Sequence, residues 1–489
     1  MKRMICTIMG FVVFCTMLST GALAVGGESG LFTYEIKGNG TAVITKFDWH
    51  NNNGEDVYVP NMIDGYTVTE IGKYAFSLEN VLGIQLENEG TTHENATWYN
   101  YGDNVVVVLP QTITVIGEKA FFCTNITAIN IPASVQLIGE GAFAGCRPAK
   151  GYNVEPGNQI YTTIKGCLYN KQKKELVAYC LNDEMKTADD CKIPEGIVSI
   201  GAYAAYCEKT GAPDSDLVGL ELPSTVKNIG DYAFALTGGI KDPLPDTVEN
   251  IGDYAFQYAW VQSIHWPQSL KHIGYSAFEG AHVYDDPNEY ERIYLPPNVE
   301  EIGERVFCKA DIGNFFGLYD SINLSNTRIE KIPAQAFMGV NTRGILLPDQ
   351  CKEIGKEAFA KAGIDSITIP KTIKRIGESA FSESSGEISF SNEADNLVIE
   401  KNAFMGFEFS NDTLELPEGS VEIQDNAFAD VIGLTTLVIP ESVTSIGTKI
   451  CDRASIKLEV KPESYAAIWA SENGYQYSTG EEDTSWLNE

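Results

Sequence analysis

Residues 229–278 read IGDYAFALTGGIKDPLPDTVENIGDYAFQYAWVQSIHWPQSLKHIGYSAF, and this stretch decides the fold. The pattern Ile-Gly-x-x-Ala-Phe begins at Ile229, Ile251 and Ile273, so successive copies lie 22 residues apart. Eight clear and six degenerate copies along the chain begin at Ile71, Ile116, Ile138, Ile200, Ile229, Ile251, Ile273, Ile302, Ile332, Ile354, Ile376, Ile399, Ile423 and Ile446. A short period that recurs this often indicates a repeat architecture in which each copy forms one coil.

A second element precedes most copies, namely an apolar alternation that ends in proline, as in Ile367-Thr368-Ile369-Pro370. This alternation predicts a short strand with one buried face, and proline ends the strand because it cannot continue a ladder. The glycine after the recurrent isoleucine suits either a turn with positive φ or a close approach to a neighbouring coil. The phenylalanines should fill the coil interior as a stack that includes Phe121, Phe143, Phe234, Phe256 and Phe278.

One such unit cannot bury its apolar face alone, so neighbouring units must stack into a continuous core. The chain length alone favours about three domains. The repeat instead predicts one elongated solenoid, whose parallel sheet would run for about 65 Å at the usual strand spacing.

The repeat unit resembles the BspA-like leucine-rich repeat. The last copy shows the resemblance as Leu437-Val438-Ile439-Pro440-Glu441-Ser442-Val443-Thr444-Ser445-Ile446-Gly447 and then departs from the pattern at Ile450 and Cys451. The resemblance extends over residues 32–477. It implies a leucine-rich-repeat right-handed coil with a parallel β-sheet on one face. It also implies a secreted or surface protein that binds host matrix proteins or other cells.

The first 24 residues are typical of a secretory signal. Lys2 and Arg3 precede an apolar stretch, and Ala22-Leu23-Ala24 supplies the small residues that signal peptidase accepts. The alternative is a membrane anchor, but the apolar stretch is short for a bilayer span. We therefore expect a secreted, extracellular or cell-surface protein without membrane insertion after signal removal.

The remaining chain divides into three predicted segments. Residues 25–70 should form an N-terminal β-hairpin cap, with its turn at Gly38-Asn39-Gly40. Residues 71–455 should form the solenoid of about fourteen units, with inserts near 82–104 and 145–190, the second of them a hairpin. Residues 456–489 should form a C-terminal helical cap and an acidic tail.

The charge balance excludes some partners and favours others. Acidic residues outnumber basic residues by 67 to 35, which gives a formal net charge of −32. A surface that binds nucleic acid or anionic lipid needs the opposite sign. We expect a neutral or basic partner, or a surface that its own repulsion keeps soluble.

Residue patterns give no support for catalysis. The five histidines are scattered, and no nucleophile, zinc or phosphate-loop motif occurs. Cysteines at repeat positions should be buried thiols, and a bridge between Cys167 and Cys180 is the best alternative. Acid pairs such as Asp214/Asp216 favour solvated loops over a calcium site. We predict no enzyme, cofactor or metal, with a site in the inserts as the remaining catalytic alternative.

The central residue of each apolar alternation should point outward from the sheet, so this column can vary and carry specificity. The candidate partner-binding residues in it are His265, Tyr294, Asn323, Leu346 and Thr368. We expect a non-catalytic protein that recognises an extracellular protein or glycan, in adhesion to host matrix or other cells. One alternative is a structural or spacer protein of the cell envelope without a specific ligand. For the column itself, the alternative is simple tolerance of exposed apolar residues.

Overall fold

The computed structural model describes residues 26–77, 105–124, 126–146, 148–180, 192–206, 220–237, 244–262, 266–284, 293–313 and 321–479. The chain forms two compact units, the first reaching Ile160 and the second running essentially from Tyr161 onward. No helix in the described ranges combines the length and the apolar character that a membrane crossing requires.

Within its described residues, unit 1 consists of short strands and one 3₁₀ turn at Trp49–Asn51. Its strands are β1 Gly26–Ser29, β2 Phe32–Ile36, β3 Thr41–Phe47, β4 Val57–Tyr58, β5 Met62–Ile63, β6 Tyr66–Ile71, β7 Val106–Val108, β8 Val115–Ile116, β9 Ala128–Ile131, β10 Leu137–Ile138 and β11 Tyr152–Val154. They form one sheet in the order β1-β2-β3-β6-β8-β10, with β5 on β6, and a second in the order β4-β7-β9-β11. The first three strands pair antiparallel, and β3, β6, β8 and β10 pair parallel.

Unit 2 continues the same pattern and, in the ranges that the structure describes, contains one short α-helix, α1 Tyr465–Glu472. Its strands are β12 Tyr161–Ile164, β13 Cys167–Asn170, β14 Glu175–Ala178, β15 Ser199–Ile200, β16 Asn228–Ile229, β17 Asn250–Ile251, β18 Trp260–Gln262, β19 His272–Ile273, β20 His282–Tyr284, β21 Ile293–Tyr294, β22 Glu301–Ile302, β23 Asp311–Gly313, β24 Ile322–Asn323, β25 Lys331–Ile332, β26 Asn341–Leu346, β27 Glu353–Ile354, β28 Gly363–Ile369, β29 Arg375–Ile376, β30 Ser385–Phe390, β31 Glu393–Ile399, β32 Glu408–Phe409, β33 Thr413–Glu415, β34 Glu418–Ile423, β35 Thr436–Ile439, β36 Ser445–Ile446, β37 Lys457–Val460 and β38 Tyr477–Ser478.

Parallel pairing connects equivalent positions of successive repeats. Ile229, Ile251, Ile273 and Ile302 are register partners across β16, β17, β19 and β22. Unit 2 has further parallel sheets in the orders β18-β20-β23, β21-β24-β26-β28-β30-β32, β25-β27-β29-β31-β34-β36 and β33-β35-β37-β38. The expectation of a single parallel sheet on one face is therefore too simple, because one coil contributes strands to more than one sheet.

The phenylalanine stack that the repeat predicts is present within each unit. Phe121 and Phe143 stack at 5.5 Å in unit 1. In unit 2 the Phe256 ring lies 5.3 Å from Phe234 and 5.0 Å from Phe278, with interplanar angles of 14° and 10°. These three side chains have no solvent exposure. Burial of a large aromatic ring in most coils adds apolar stabilisation that a single unit lacks.

The glycine of the repeat serves close approach and not positive φ. A Cβ at Gly252 would lie 2.8 Å from the Asp231 backbone nitrogen of the preceding coil, which is too close for a real side chain. The positive φ occurs two residues later, and sequence reasoning did not locate it. This left-handed position has φ between 49° and 59° at Tyr74, Lys119, Tyr203, Tyr232, Tyr254, Ser276, Arg305, Gln335, Glu357, Ser379, Asn402 and Asn426.

Helix α1 lies near the C-terminal end of the described chain. The Ser464 side chain accepts a hydrogen bond from the Ala467 backbone N–H at 3.2 Å, which is the arrangement of a helix N-cap. Trp469 is buried, and the helix packs against β36, β37 and β38. Tyr465 and Ile468 lie on its exposed side.

Candidate functional site

Four of the five predicted binding residues occupy one column in adjacent strands of unit 2. Tyr294 in β21 is the register partner of Asn323 in β24, which is the partner of Leu346 in β26. Thr368 lies one residue after Ile367, which pairs with Ile345, so it continues the column in β28. His265 lies outside the described residues.

The outward direction of this column follows from strand alternation. Ile322, Ile345 and Ile367 precede the column residues and are buried, so the column residues point to the opposite face of the sheet. Leu346 is 44 % exposed and Tyr294 is 36 % exposed. The exposed part of the Leu346 side chain offers an apolar contact.

The polar members of the column have local hydrogen bonds. The Asn326 Nδ2 donates to the Tyr294 hydroxyl at 2.8 Å, and the Asn323 Oδ1 accepts from the Ser325 backbone N–H at 3.0 Å. The Thr368 and Ser389 hydroxyls lie 2.9 Å apart. These bonds fix the orientations of the side chains at the surface, which reduces the ordering cost of binding.

Sequence reasoning missed a row of carboxylates on the same sheet. Asp365 in β28, Glu387 in β30 and Glu408 in β32 are exposed. Glu387 lies two residues before Ser389, the register partner of Thr368, and Ser385 on the same side of β30 pairs with Glu408. Asp365 lies beside them, at the register shift of β28 between Ile364 and Ser366. Within the part of the chain that the structure describes, none of these three forms an ion pair. We call the surface formed by Tyr294, Asn323, Leu346, Thr368, Asp365, Glu387 and Glu408 the open face.

The sheet β18-β20-β23 contributes an aromatic and polar row beside the open face, because β23 lies next to β26. The Trp260 and His282 rings stack at 4.3 Å. The His282 Nδ1 lies 3.3 Å from the Asp311 Oδ2, and both side chains are substantially exposed. This row combines an aromatic plane with a carboxylate, and the sequence prediction of the site did not include it.

In another sheet of unit 2, the exposed charged residues form ion pairs with one another. In β25, β27 and β29 the residues Lys331, Glu353 and Arg375 are register partners. The Glu353 Oε1 lies 2.8 Å from the Lys331 Nζ and 2.9 Å from an Arg375 Nη, and Arg375 also contacts Glu400 at 2.7 Å. We call the surface formed by Lys331, Glu353, Arg375 and Glu400 the ladder face. The alternation of Lys, Glu and Arg at intervals of 22 residues was a usable sequence signal for it.

The same kind of pairing lowers a carboxyl pKa earlier in unit 2. Glu249 lies 2.7 Å from the Lys271 Nζ and 2.9 Å from the Lys227 Nζ. Hydrogen bonds from Lys271 and then Lys227 lower the pKa of Glu249 to about 2. Acids in such a ladder stay ionised and are already neutralised by their neighbours.

A buried ion pair connects two coils in the middle of unit 2. The Arg305 guanidinium binds both carboxylate oxygens of Glu279, whose side chain is 2 % exposed, and donates to the Gln335 Oε1 at 2.8 Å. The hydrogen bonds to Glu279 raise the pKa of Arg305 above its usual range. Bidentate geometry of this kind satisfies both groups, so the arrangement is structural.

The cysteines at repeat positions are mostly buried, as their spacing predicts. Cys146, Cys351 and Cys451 are free thiols, and burial raises their pKa values to about 12, 11 and 12. A raised pKa keeps a thiol protonated and unreactive. The Cys180 backbone N–H donates to the Cys167 Sγ at 3.1 Å, and both are buried free thiols, so the alternative of a bridge between them is wrong in this structure. Over the described ranges, no three His, Cys, Asp or Glu side chains converge to hold a metal ion.

Stacked coils of parallel strands with one short helix near the C-terminus define a repeat β-solenoid. The BspA type leucine rich repeat region matches residues 47–173, 213–326, 317–409 and 397–466. These ranges cover well over half of the chain. The protein belongs to the BspA-type leucine-rich repeat family.

Solved structures of bacterial proteins resemble the chain over most of its length. A leucine rich cell surface protein from Faecalibacterium prausnitzii is 19 % identical, with coverage of 95 % of this chain and 97 % of that one and a TM-score of 0.36. A leucine-rich repeat protein from Bacteroides ovatus is also 19 % identical, with coverage of 92 % and 99 % and a TM-score of 0.40. The pneumococcal vaccine antigen PcpA is 15 % identical, with coverage of 94 % and 100 % and a TM-score of 0.29. No curated protein matches the sequence.

Proposed function

We propose that this protein is an exported, non-catalytic recognition protein that binds an extracellular protein or glycan through the open face. The observation that carries the proposal is the exposure of Leu346 and Tyr294 within a column of otherwise polar residues on a regular parallel sheet. Apolar and aromatic side chains on a polar surface are typical anchors of interfaces. Adhesion to host matrix or to other cells is the role that this surface suits best.

The segments outside the open face have supporting roles in the proposal. Residues 1–24 direct export and are removed, and residues 71–455 form the repeat scaffold. Strands β1 to β3 act as the N-terminal cap within 25–70, and α1 acts as the C-terminal cap within 456–489. Caps of this kind cover coil ends that would otherwise aggregate by pairing with other chains.

A non-catalytic role is supported by the family and by the chemistry of the cysteines. Leucine-rich repeat proteins of this type are generally not enzymes, and the chain belongs to that family. The thiols of Cys146, Cys351 and Cys451 are buried with raised pKa values, which is unfavourable for a nucleophile.

The test compares two double variants in binding to immobilised extracellular-matrix proteins and to a glycan array. Tyr294→Ala with Leu346→Ala removes the apolar anchors of the open face. Tyr465→Ala with Ile468→Ala is the matched control, because these side chains are similarly exposed but lie on α1. We expect the first variant to lose binding and the control to keep it, with unchanged thermal unfolding in both.

Two outcomes would contradict the proposal. Binding that survives the Tyr294/Leu346 variant would place recognition elsewhere on the molecule. A wild-type protein that binds none of the matrix proteins or glycans would favour the spacer alternative, in which the solenoid has no specific ligand.

A further inference from the structure

The open face carries like charges in adjacent strands. Ser366, the neighbour of Asp365, pairs with Glu387, and Ser385, two residues before Glu387, pairs with Glu408. Adjacent strands are about 5 Å apart, which is less than the screening distance of about 8 Å at physiological salt. Glu387 therefore lies close enough to Asp365 on one side and to Glu408 on the other for repulsion in the free protein.

The ladder face shows that the same repeat can neutralise such a row. There Glu353 lies between Lys331 and Arg375, one coil away on each side, and both cations contact it. The open face has one cation in the corresponding strands, the exposed Arg343 in β26, which lies opposite Asp365 in the register but forms no ion pair within the described residues. Glu387 and Glu408 have no cation at the opposite positions of the neighbouring strands. The repeat geometry would also allow basic residues to neutralise the carboxylates of the open face, because the outward positions on both faces accept long basic side chains.

The aromatic row beside the open face also favours a positively charged partner. The Trp260 ring is stacked on His282, and Asp311 lies beside the imidazole. Aromatic planes attract cations, and a guanidinium can stack on them while it binds a carboxylate. Tyr294 adds a further exposed aromatic ring in the neighbouring column.

We propose that the open face docks a basic, arginine-bearing segment of a protein, whose cations neutralise Asp365, Glu387 and Glu408 while its apolar part contacts Leu346. This inference rests on the proposed recognition function and names the chemistry of its partner. The net charge of −32 agrees with it, since long-range attraction would bring a basic partner to the protein. A neutral glycan would leave the repulsion between the three carboxylates in place.

The test uses an oligo-arginine peptide and its citrulline counterpart, which has the same shape without the charge. The binding variant is Asp365→Asn, Glu387→Gln and Glu408→Gln together. Its control is Glu441→Gln, Glu463→Gln and Glu472→Gln, which changes the net charge equally at exposed positions outside the open face. Amide substitutions at exposed sites preserve the fold, and thermal unfolding checks this.

At a salt concentration of about 0.15 M we expect the wild-type protein to prefer the arginine peptide strongly. The open-face variant should weaken arginine binding about tenfold and reduce its salt dependence, and the control should change it less than about twofold. Equal losses in both variants would overturn the inference, because the attraction would then come from total charge. Equal binding of the arginine and citrulline peptides would also overturn it.

The outcome for the proposed function is read separately. If an extracellular-matrix protein or glycan binds through Tyr294 and Leu346 but is insensitive to the carboxylate variant, the recognition function stands and the basic partner is wrong. If neither variant affects any such binding, recognition through the open face is wrong as well.

Discussion

The ladder face and the open face of unit 2 are formed by the same repeats at the same strand spacing. The carboxylates of the ladder face form ion pairs with cations of neighbouring strands, whereas the carboxylates described on the open face do not. On the ladder face, Glu353 contacts cations from the coils on both sides. On the open face, Asp365 and Glu387 lie in adjacent strands and form no ion pair within the described residues, although Arg343 lies opposite Asp365. Both faces are exposed, so desolvation does not explain the difference.

This comparison separates the positions that stabilise the stack of coils from the positions that are available for binding. Positions that recur in every coil build the stack, and the ladder shows that outward positions can also stabilise neighbouring coils. An outward row of carboxylates that repel one another does not stabilise the stack of coils. Such a row is where a binding function can be added without changing the scaffold.

The largest expected effect comes from the core beneath both faces. Phe256→Ala removes a fully buried ring between Phe234 and Phe278 and should reduce the free energy of unfolding by about 3–5 kcal/mol. Urea unfolding measures the loss, with the exposed Thr368→Ala as control. An unchanged midpoint in Phe256→Ala would mean that the stack does not stabilise the coils.

The buried ion pair should give an effect of similar or slightly smaller size. Arg305→Ala leaves the Glu279 carboxylate buried without its bidentate partner and should cost about 3–5 kcal/mol. The double variant Arg305→Met with Glu279→Leu should regain most of that loss, because it leaves no isolated charge. A single variant as stable as the wild type would show that the pair is not structural.

These two sites also show how far the sequence predicts the structure. The period of 22 residues located Phe256 in the core correctly, because burial at a fixed position repeats in every coil. The Glu279–Arg305 pair could not be predicted, because its spacing of 26 residues matches no repeat interval and depends on how two coils meet. The left-handed φ at Tyr254 was also missed, since tyrosine there has no glycine-like signal.

The candidate site was predicted only in part, for a related reason. Strand alternation placed Leu346 and Thr368 outward, and the structure puts both on one exposed face. Glu387 was overlooked because it lies outside the short apolar-x-apolar motif, in a strand longer than the motif indicates. The contrast between paired and unpaired acids appears only when the strand register is known.

A smaller effect is expected on the ladder face. Glu353→Gln removes the carboxylate between Lys331 and Arg375, but the pairs are exposed to water. The loss in unfolding free energy should be about 0.5–1 kcal/mol and should disappear at high salt. Glu387→Gln, made in parallel, should be neutral or slightly stabilising because it relieves repulsion. Equal destabilisation by the two variants would remove the distinction between the faces.

The smallest effect concerns the titration of a ladder carboxyl. The hydrogen bonds from Lys271 and Lys227 give Glu249 a pKa of about 2, below its ordinary 4.5. Since this folded-state pKa is depressed, its stabilising contribution is complete above about pH 4.5 and is lost as the pH falls through about 2. A carboxyl-detected NMR titration should give this low midpoint, and Lys271→Ala should raise it. A midpoint near 4.5 in the wild type would show that the ladder does not form in solution.

Hydrogen–deuterium exchange of the protein with and without the bound oligo-arginine peptide tests the central claim most directly, because it reports on both faces in one experiment. The account predicts slower exchange on binding in Gly363–Ile369 and Ser385–Phe390, which carry Asp365 and Glu387, and no change in Arg375–Ile376 of the ladder face. Protection that is equal on the two faces, or confined to Arg375–Ile376, would contradict it.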